Sequence, residues 1–203
     1  MVRALSTVRQ ANPPLRRQAR QSATGVALKA TARYINAMHP VIGILLFLAT
    51  ILVMEGVAYV AHRWIMHGWG WFLHASHHRP RTGHWEWNDL YFVIFAAPSI
   101  TLLVGGVYWG WGDAAVWIGA GIAGYGAIYL GFHDIIVHRR VPTRYLPTSK
   151  YMKRIVQAHR LHHAVETKDG TVSYGFLVAP RPEALKAELK RRDRAGVRAP
   201  AAR

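Results

Sequence analysis

HRWIMHGWGWFLHASHH, residues 62–78, places five histidines in seventeen positions, and how this run is wound decides the fold. His74, His77 and His78 stand at i, i+3 and i+4, so on an α-helix three imidazoles project within an arc of about 100°. His62 and His67 are five apart, which a regular α-helix would splay by about 140°. They converge only where the helix ends or bulges. Single-turn π-bulges occur at functional sites, and Gly68 and Gly70 offer an ending.

The pattern recurs further along. His133 and His138 repeat the five-residue spacing, and His159, His162 and His163 repeat HxxHH, so ten of the twelve histidines fall into two copies of one programme. Such a duplication predicts two equivalent half-sites. Neutral imidazole ligates iron, zinc, copper and nickel without a thiolate. Ten donors exceed what one metal can use, and two metals sharing eight to ten imidazoles is the natural reading. Scattered surface or core histidines would not repeat two spacings in the same order. Paired haem ligation would use four histidines and leave six unexplained.

Half of the 203 residues are hydrophobic, yet the net charge is +16, which indicates basic flanks around apolar segments. The chain has no cysteine. Disulfides, an iron–sulfur cluster and thiolate haem ligation are therefore excluded, and electrons for any redox chemistry must come from another protein.

Three divisions follow: a basic N-terminal extension over 1–39, a membrane domain over 40–180 and a charged C-terminal tail over 181–203. The extension carries seven Arg and Lys and no acidic residue, which suits a disordered arm on anionic lipid, a targeting segment or a surface-lying helix. Residues 41–61 form a first membrane segment with one charge, Glu55. Glu55, Tyr59 and His62 make a polar stripe leading to the first histidine, and a carboxylate in an apolar span is a functional candidate. It is expected to orient a ligating imidazole, and the alternative is a helix-end glutamate facing water. Residues 90–108 and 114–132 are two further segments, joined by a turn with interfacial Trp109 and Trp111. Glycines at 119, 121, 124, 126 and 131 either let helices approach closely or leave a slot for a flat apolar substrate. The hairpin returns the chain to its starting face, so both histidine runs meet at one membrane surface. Basic residues from Arg139 to Arg160 mark that face as cytoplasmic or its equivalent. Residues 174–178 read as a short strand or surface loop, and 183–194 as a solvated charged helix.

The expected architecture is an all-α integral membrane protein with three to four membrane helices and a histidine-rich di-iron site. Two irons held by imidazoles, with positions left open, suit O2 activation for attack on an unactivated C–H bond. Zinc in the same cage would suggest hydrolysis, although zinc sites seldom use so many histidines. A metal carrier would need polar residues through its spans, and apart from Glu55 these are apolar.

HRWIMHG, HASHH, NDLY, FHDIIVHRR, QAHRLHHAVE and KDGTVSYGF together resemble the bacterial-type β-carotene 3-hydroxylases of the fatty-acid-hydroxylase-like membrane di-iron superfamily. The resemblance covers about residues 51–180 and includes Glu55, Arg63, Asn88, Asp89 and Asp134. It implies O2-dependent hydroxylation of β-ionone rings, from β-carotene through β-cryptoxanthin to zeaxanthin, with two non-haem iron ions. A ferredoxin-type donor, a carotenoid drawn from the bilayer and membrane lipid are the implied partners, and no nucleic acid is expected. By position, His62, His67, His74, His77, His78, His133, His138, His159, His162 and His163 carry over as iron ligands. Glu55 and Asp134 are candidates to support them. A carotenoid ketolase or a sterol or fatty-acyl hydroxylase would share this chemistry. The implied setting is a bacterial inner membrane or a plastid membrane.

Overall fold

The computed structural model describes residues 38–81 and 83–194. The N-terminal extension lies outside them except for residues 38 and 39, as do the readings attached to it. Helix α1 (Pro40–Val60) runs without interruption into a π-helical segment, π1 (Ala61–Trp69), and a single turn, α2 (Trp71–His74), follows. Helices α3 (Asp89–Tyr108) and α4 (Asp113–Tyr129) form a hairpin, and α4 continues into a second π-helical segment, π2 (Leu130–Val137). Helices α5 (Lys150–His162) and α6 (Pro182–Arg194) complete the described residues. The described residues contain no strand, and 174–178 is a loop.

Among the described residues, three helices are long and apolar enough to cross a membrane: Pro40–Trp69, Asp89–Tyr108 and Asp113–Val137. Their outward side chains are apolar and uncovered, Leu52 being 74% and Val53 63% exposed. In water that surface would be costly, whereas acyl chains solvate it without penalty. At 1.5 Å per residue, α3 spans about 30 Å, close to one hydrocarbon thickness, while α1 with π1 reaches about 45 Å. The excess carries the π segments, and their histidines, to one end of the bundle.

Helix α4 packs against both α1 and α3. A Cβ at Gly121 would lie 2.6 Å from Thr50 Cβ, and one at Gly43 would collide with the Trp117 ring. The small residues of α4 thus serve close packing at 119, 121 and 124, while Gly126 and Gly131 have nothing within 4 Å of an added Cβ. The packed helices also share polar bonds where lipid offers none: Ser99 donates to the Gly119 carbonyl at 2.7 Å, and Tyr91 to the Gly70 carbonyl at 3.0 Å.

Beyond the spans, α5 and α6 form a cap with its own core of Phe132, Ile155, Val156, Val165, Val172, Phe176, Leu185 and Leu189. Ser149 caps α5 by accepting from the Met152 N–H at 3.1 Å. The tail helix is not fully solvated as its charge suggests. Leu185 and Leu189, four apart on one face, are each 5% exposed, and Arg192 donates to the Thr171 carbonyl at 2.6 Å.

Replacing Gly121 by Val forces α1 and α4 apart and should cost about 1–3 kcal/mol. Gly126→Ala meets open space and should stay within about 0.5 kcal/mol of the parent. Thermal unfolding of the detergent-solubilised variants measures both, and equal effects would contradict the packing described.

Candidate metal centre

The five-residue spacing is answered by the π segments. Their ladders close with i→i−5 bonds, Gly70 N–H to the Ile65 carbonyl at 2.8 Å and His138 N–H to the His133 carbonyl at 2.9 Å. Widening the helix by one residue per turn brings positions five apart onto one face. The ring centroids of His62 and His67 are 5.3 Å apart, and those of His133 and His138 are 4.4 Å apart.

All ten sequence-predicted histidines gather into two groups whose candidate ligand atoms lie within 4.8 Å of one another. The first is His62, His67, His74, His78 and His162; the second is His77, His133, His138, His159 and His163. The groups are not the two sequence copies. Each takes four histidines from one copy and one from the other, and the exchanged residue is the i+3 member of HxxHH in both cases. On α5 helix geometry explains the swap: His159 and His163, i and i+4, are about 40° apart and face one group, while His162 lies about 100° from His163 and faces its neighbour. His74, His77 and His78 reach the same division through the turns that follow α2. The two groups touch, with His78 and His163 stacked at 4.4 Å.

Seven rings are held from outside through Nδ1. His62, His67, His78 and His162 donate to the carbonyls of Tyr174, Lys168, Val165 and Val172 at 2.7–3.0 Å, all from one loop. His74 donates to Asn88 Oδ1 at 2.7 Å, His77 to Glu86 Oε2 at 3.1 Å and His133 to Asp134 Oδ1 at 2.7 Å. These acceptors assign the proton to Nδ1 and leave the Nε2 lone pair facing inward. Paired Nε2 atoms stand 3.0–3.2 Å apart at His62–His74, His67–His162, His78–His162 and His77–His133. Two such lone pairs cannot hydrogen-bond each other, but each can coordinate a cation. Two nitrogens about 2.1 Å from one metal and at a right angle to each other lie about 3.0 Å apart. The donor set therefore suits a metal site.

The two groups differ in their surroundings. The first is oriented by neutral acceptors. Around the second, Arg140 gathers the carboxylates, donating to Asp89 at 2.7 Å and Glu86 at 2.9 Å and lying 3.7 Å from Asp134. Burial pushes the Glu86 carboxyl up, and Arg140 opposes that shift. Burial, reinforced by neighbouring imidazoles, holds His74, His77, His159, His162 and His163 well below the ordinary histidine range. The same causes bring His78 to about 4 and His138 to about 2. These rings are neutral near pH 7, as ligation requires.

Asp134 stands where the sequence suggests, against a histidine. Glu55 does not. Its Oε1 accepts the N–H groups of Phe176, Leu177 and Val178 at 2.8, 2.8 and 3.1 Å, and Tyr125 donates to its Oε2 at 2.8 Å. The reason is proximity: the loop crosses the end of α1 and presents three successive N–H groups there, so the carboxylate anchors the loop and reaches the histidines only through it. Sequence reasoning also passed over Glu86, Asn88 and Arg140 as supports. Asn88 and Arg140 sit in motifs quoted above, but nothing local pairs them with His74 or Glu86. Tyr129, one turn before His133, stacks on that ring at 4.3 Å and holds its hydroxyl 3.3 Å from Nε2. Phe176 stacks on Tyr129 at 4.8 Å, giving this side an apolar wall.

The family model described as fatty acid hydroxylase matches residues 47–179. A β-carotene hydroxylase of Pantoea ananas is 52% identical over 159 residues, covering 78% of this chain and 89% of the relative. One from Pseudescherichia vulneris is 46% identical over 148 residues, 73% of this chain and 83% of the relative. A chloroplastic β-carotene 3-hydroxylase of Haematococcus lacustris is 39% identical, covering 78% of this chain and 53% of the relative. No solved structure matches the chain significantly. With the matched region enclosing all ten histidines, the chain belongs to the fatty acid hydroxylase family, among its bacterial-type β-carotene hydroxylases.

Proposed function

We propose that the ten imidazoles hold two iron ions, five to each, and that the chain hydroxylates carbon 3 of β-ionone rings, taking β-carotene through β-cryptoxanthin to zeaxanthin in xanthophyll biosynthesis. The observation that carries the reading is the pair of five-imidazole groups at one end of three apolar helices, in a chain about half identical to bacterial β-carotene hydroxylases. Bound iron would supply O2 activation and the oxidising power to break an unactivated C–H bond. The chain's own part is to position and to exclude. The loop carbonyls, Asn88, Glu86 and Asp134 fix ring orientation and tautomer. Glu55 keeps the loop in register, and Tyr129, stacked on both His133 and Phe176, walls the second group on the side of the spans, from which a bilayer-dissolved carotenoid would approach. A ferredoxin-type protein supplies electrons, since the chain holds no cysteine for a redox couple of its own. The basic residues after π2 support a cytoplasmic site on a bacterial inner membrane, or the equivalent face of a plastid membrane.

His162 is fully buried and has Nε2 contacts with both His67 and His78. His162→Ala should lower product at least about a hundredfold and reduce iron, while the protein still inserts. Pigment chromatography from a β-carotene-accumulating bacterial host reads this out. Zeaxanthin and β-cryptoxanthin from the parent alone are expected, and ketolated pigments would move the reading to a ketolase.

The histidine shifts also set a pH dependence. The imidazoles outside the spans have folded pKa values below the ordinary 6.5 or so, so the unfolded chain takes up protons first. Their contribution to stability is whole above about pH 6.5 and is lost as pH falls from there toward about 4, the His78 value. Metal-free protein should melt at progressively lower temperature over that interval, and loaded protein should release its metal there. A melting temperature independent of pH between 7 and 4 would contradict the burial of neutral rings.

A further inference from the structure

A cavity of about 330 Å³ opens over the second histidine group. His138 and His163 line it, together with Glu86, Arg81, Arg79 and Arg160. These two histidines differ from the seven described above. Both are only half-buried, and among the described residues their hydrogen bonds run through Nε2 alone, with no acceptor at Nδ1. Their outer edges are therefore the exposed margin of the metal centre.

The charge around that margin is one-sided. Arg140 is neutralised by Glu86 and Asp89, and Arg81 bonds the carbonyls of its own loop and lies 3.7 Å from Glu86. Arg79 and Arg160 are exposed, and among the described residues no carboxylate pairs with either. From Arg160 the exposed face of α5 continues through Gln157 and Lys153 to Lys150, at the offsets of one helical stripe, and α5 contains no acidic residue. Arg144, by contrast, stands beside the exposed Tyr145 and Leu146, which suits a lipid interface. At the cavity Arg79 and Arg160 stand among imidazoles and Glu86 instead.

Hydroxylation by O2 balances as R–H + O2 + 2 electrons + 2 protons giving R–OH + H2O, so two electrons must reach the centre from outside. We propose that the face bearing Arg79, Arg160 and Lys153 docks a small acidic one-electron carrier protein, and that electrons enter through the exposed edges of His138 and His163 into the second group. This inference rests on the oxygenase reading for its purpose. Its geometry stands on the cavity, the unpaired cations and the two unsupported rings.

The test uses the full-length, iron-loaded protein in nanodiscs, with a reduced plant-type [2Fe–2S] ferredoxin as the probe. The double variant Arg79→Glu with Arg160→Glu should bind ferredoxin at least about tenfold more weakly at low salt, and ferredoxin-supported hydroxylation should fall in step. Parent binding should weaken steeply with added salt, and variant binding should not. Iron content and dithionite-supported turnover should be unchanged, because among the described residues neither arginine side chain hydrogen-bonds a histidine of the centre. Equal ferredoxin binding by parent and variant would overturn the proposal. So would a loss that follows the anionic-lipid content of the nanodisc, which would assign the patch to the membrane. Charge-dependent binding without β-carotene turnover under either reductant would uphold the docking face and overturn the substrate assignment instead.

Discussion

Ten neutral imidazoles converge with their lone pairs facing one another across about 3 Å, and the rest of the molecule is arranged to hold them in that uncomfortable posture. An imidazole left to itself would turn either nitrogen inward. In seven of the ten the outer nitrogen is committed, by four carbonyls of a single loop, one amide and two carboxylates. That requirement explains an otherwise costly feature, a glutamate at the end of a membrane helix. Without the anchor that Glu55 provides at residues 176–178, the Tyr174 carbonyl has no fixed place from which to meet His62. Arg140 does the same for the second group by gathering Glu86, Asp89 and Asp134.

The helices supply what side chains alone cannot. A regular α-helix would send His62 and His67 to different faces, and the π segments remove that conflict at the cost of two less regular stretches of ladder. Both stretches lie where a span leaves the apolar part of its run, so the extended helix serves at once as a membrane anchor and as a ligand arm. The neutral setting of one group and the carboxylate-rich setting of the other make the centre chemically lopsided despite its near-duplicate sequence. Carboxylate acceptors raise the donor strength of His77 and His133 relative to rings that meet only carbonyls.

Much of this was legible in the chain. Spacing alone demanded that the helix end or bulge between His62 and His67, and parity placed both histidine runs on one face. Hydropathy marked three spans, although it stopped each outer one short of its histidines because composition turns polar before the helix ends. What stayed hidden depends on tertiary proximity. No periodicity pairs Glu55 with the amides of residues 176–178, or Arg140 with Glu86, because the partners are 121 and 54 residues apart. Backbone carbonyls carry no residue identity, so the supporting role of residues 165–174 has no sequence signature at all. The tail helix misled through its charge, since two leucines four apart are easily lost among eight ionisable neighbours.

The exchange of His77 and His162 bears on how the protein is made. By residue 78 a nascent chain possesses four donors for the first group, yet the fifth lies 95 residues beyond His67, after two more helices have entered the bilayer. A chain interrupted before α5 can finish neither site. Metal loading would therefore belong to the last stage of biogenesis, and retention of metal would report that both histidine runs have been delivered to the same side of the membrane.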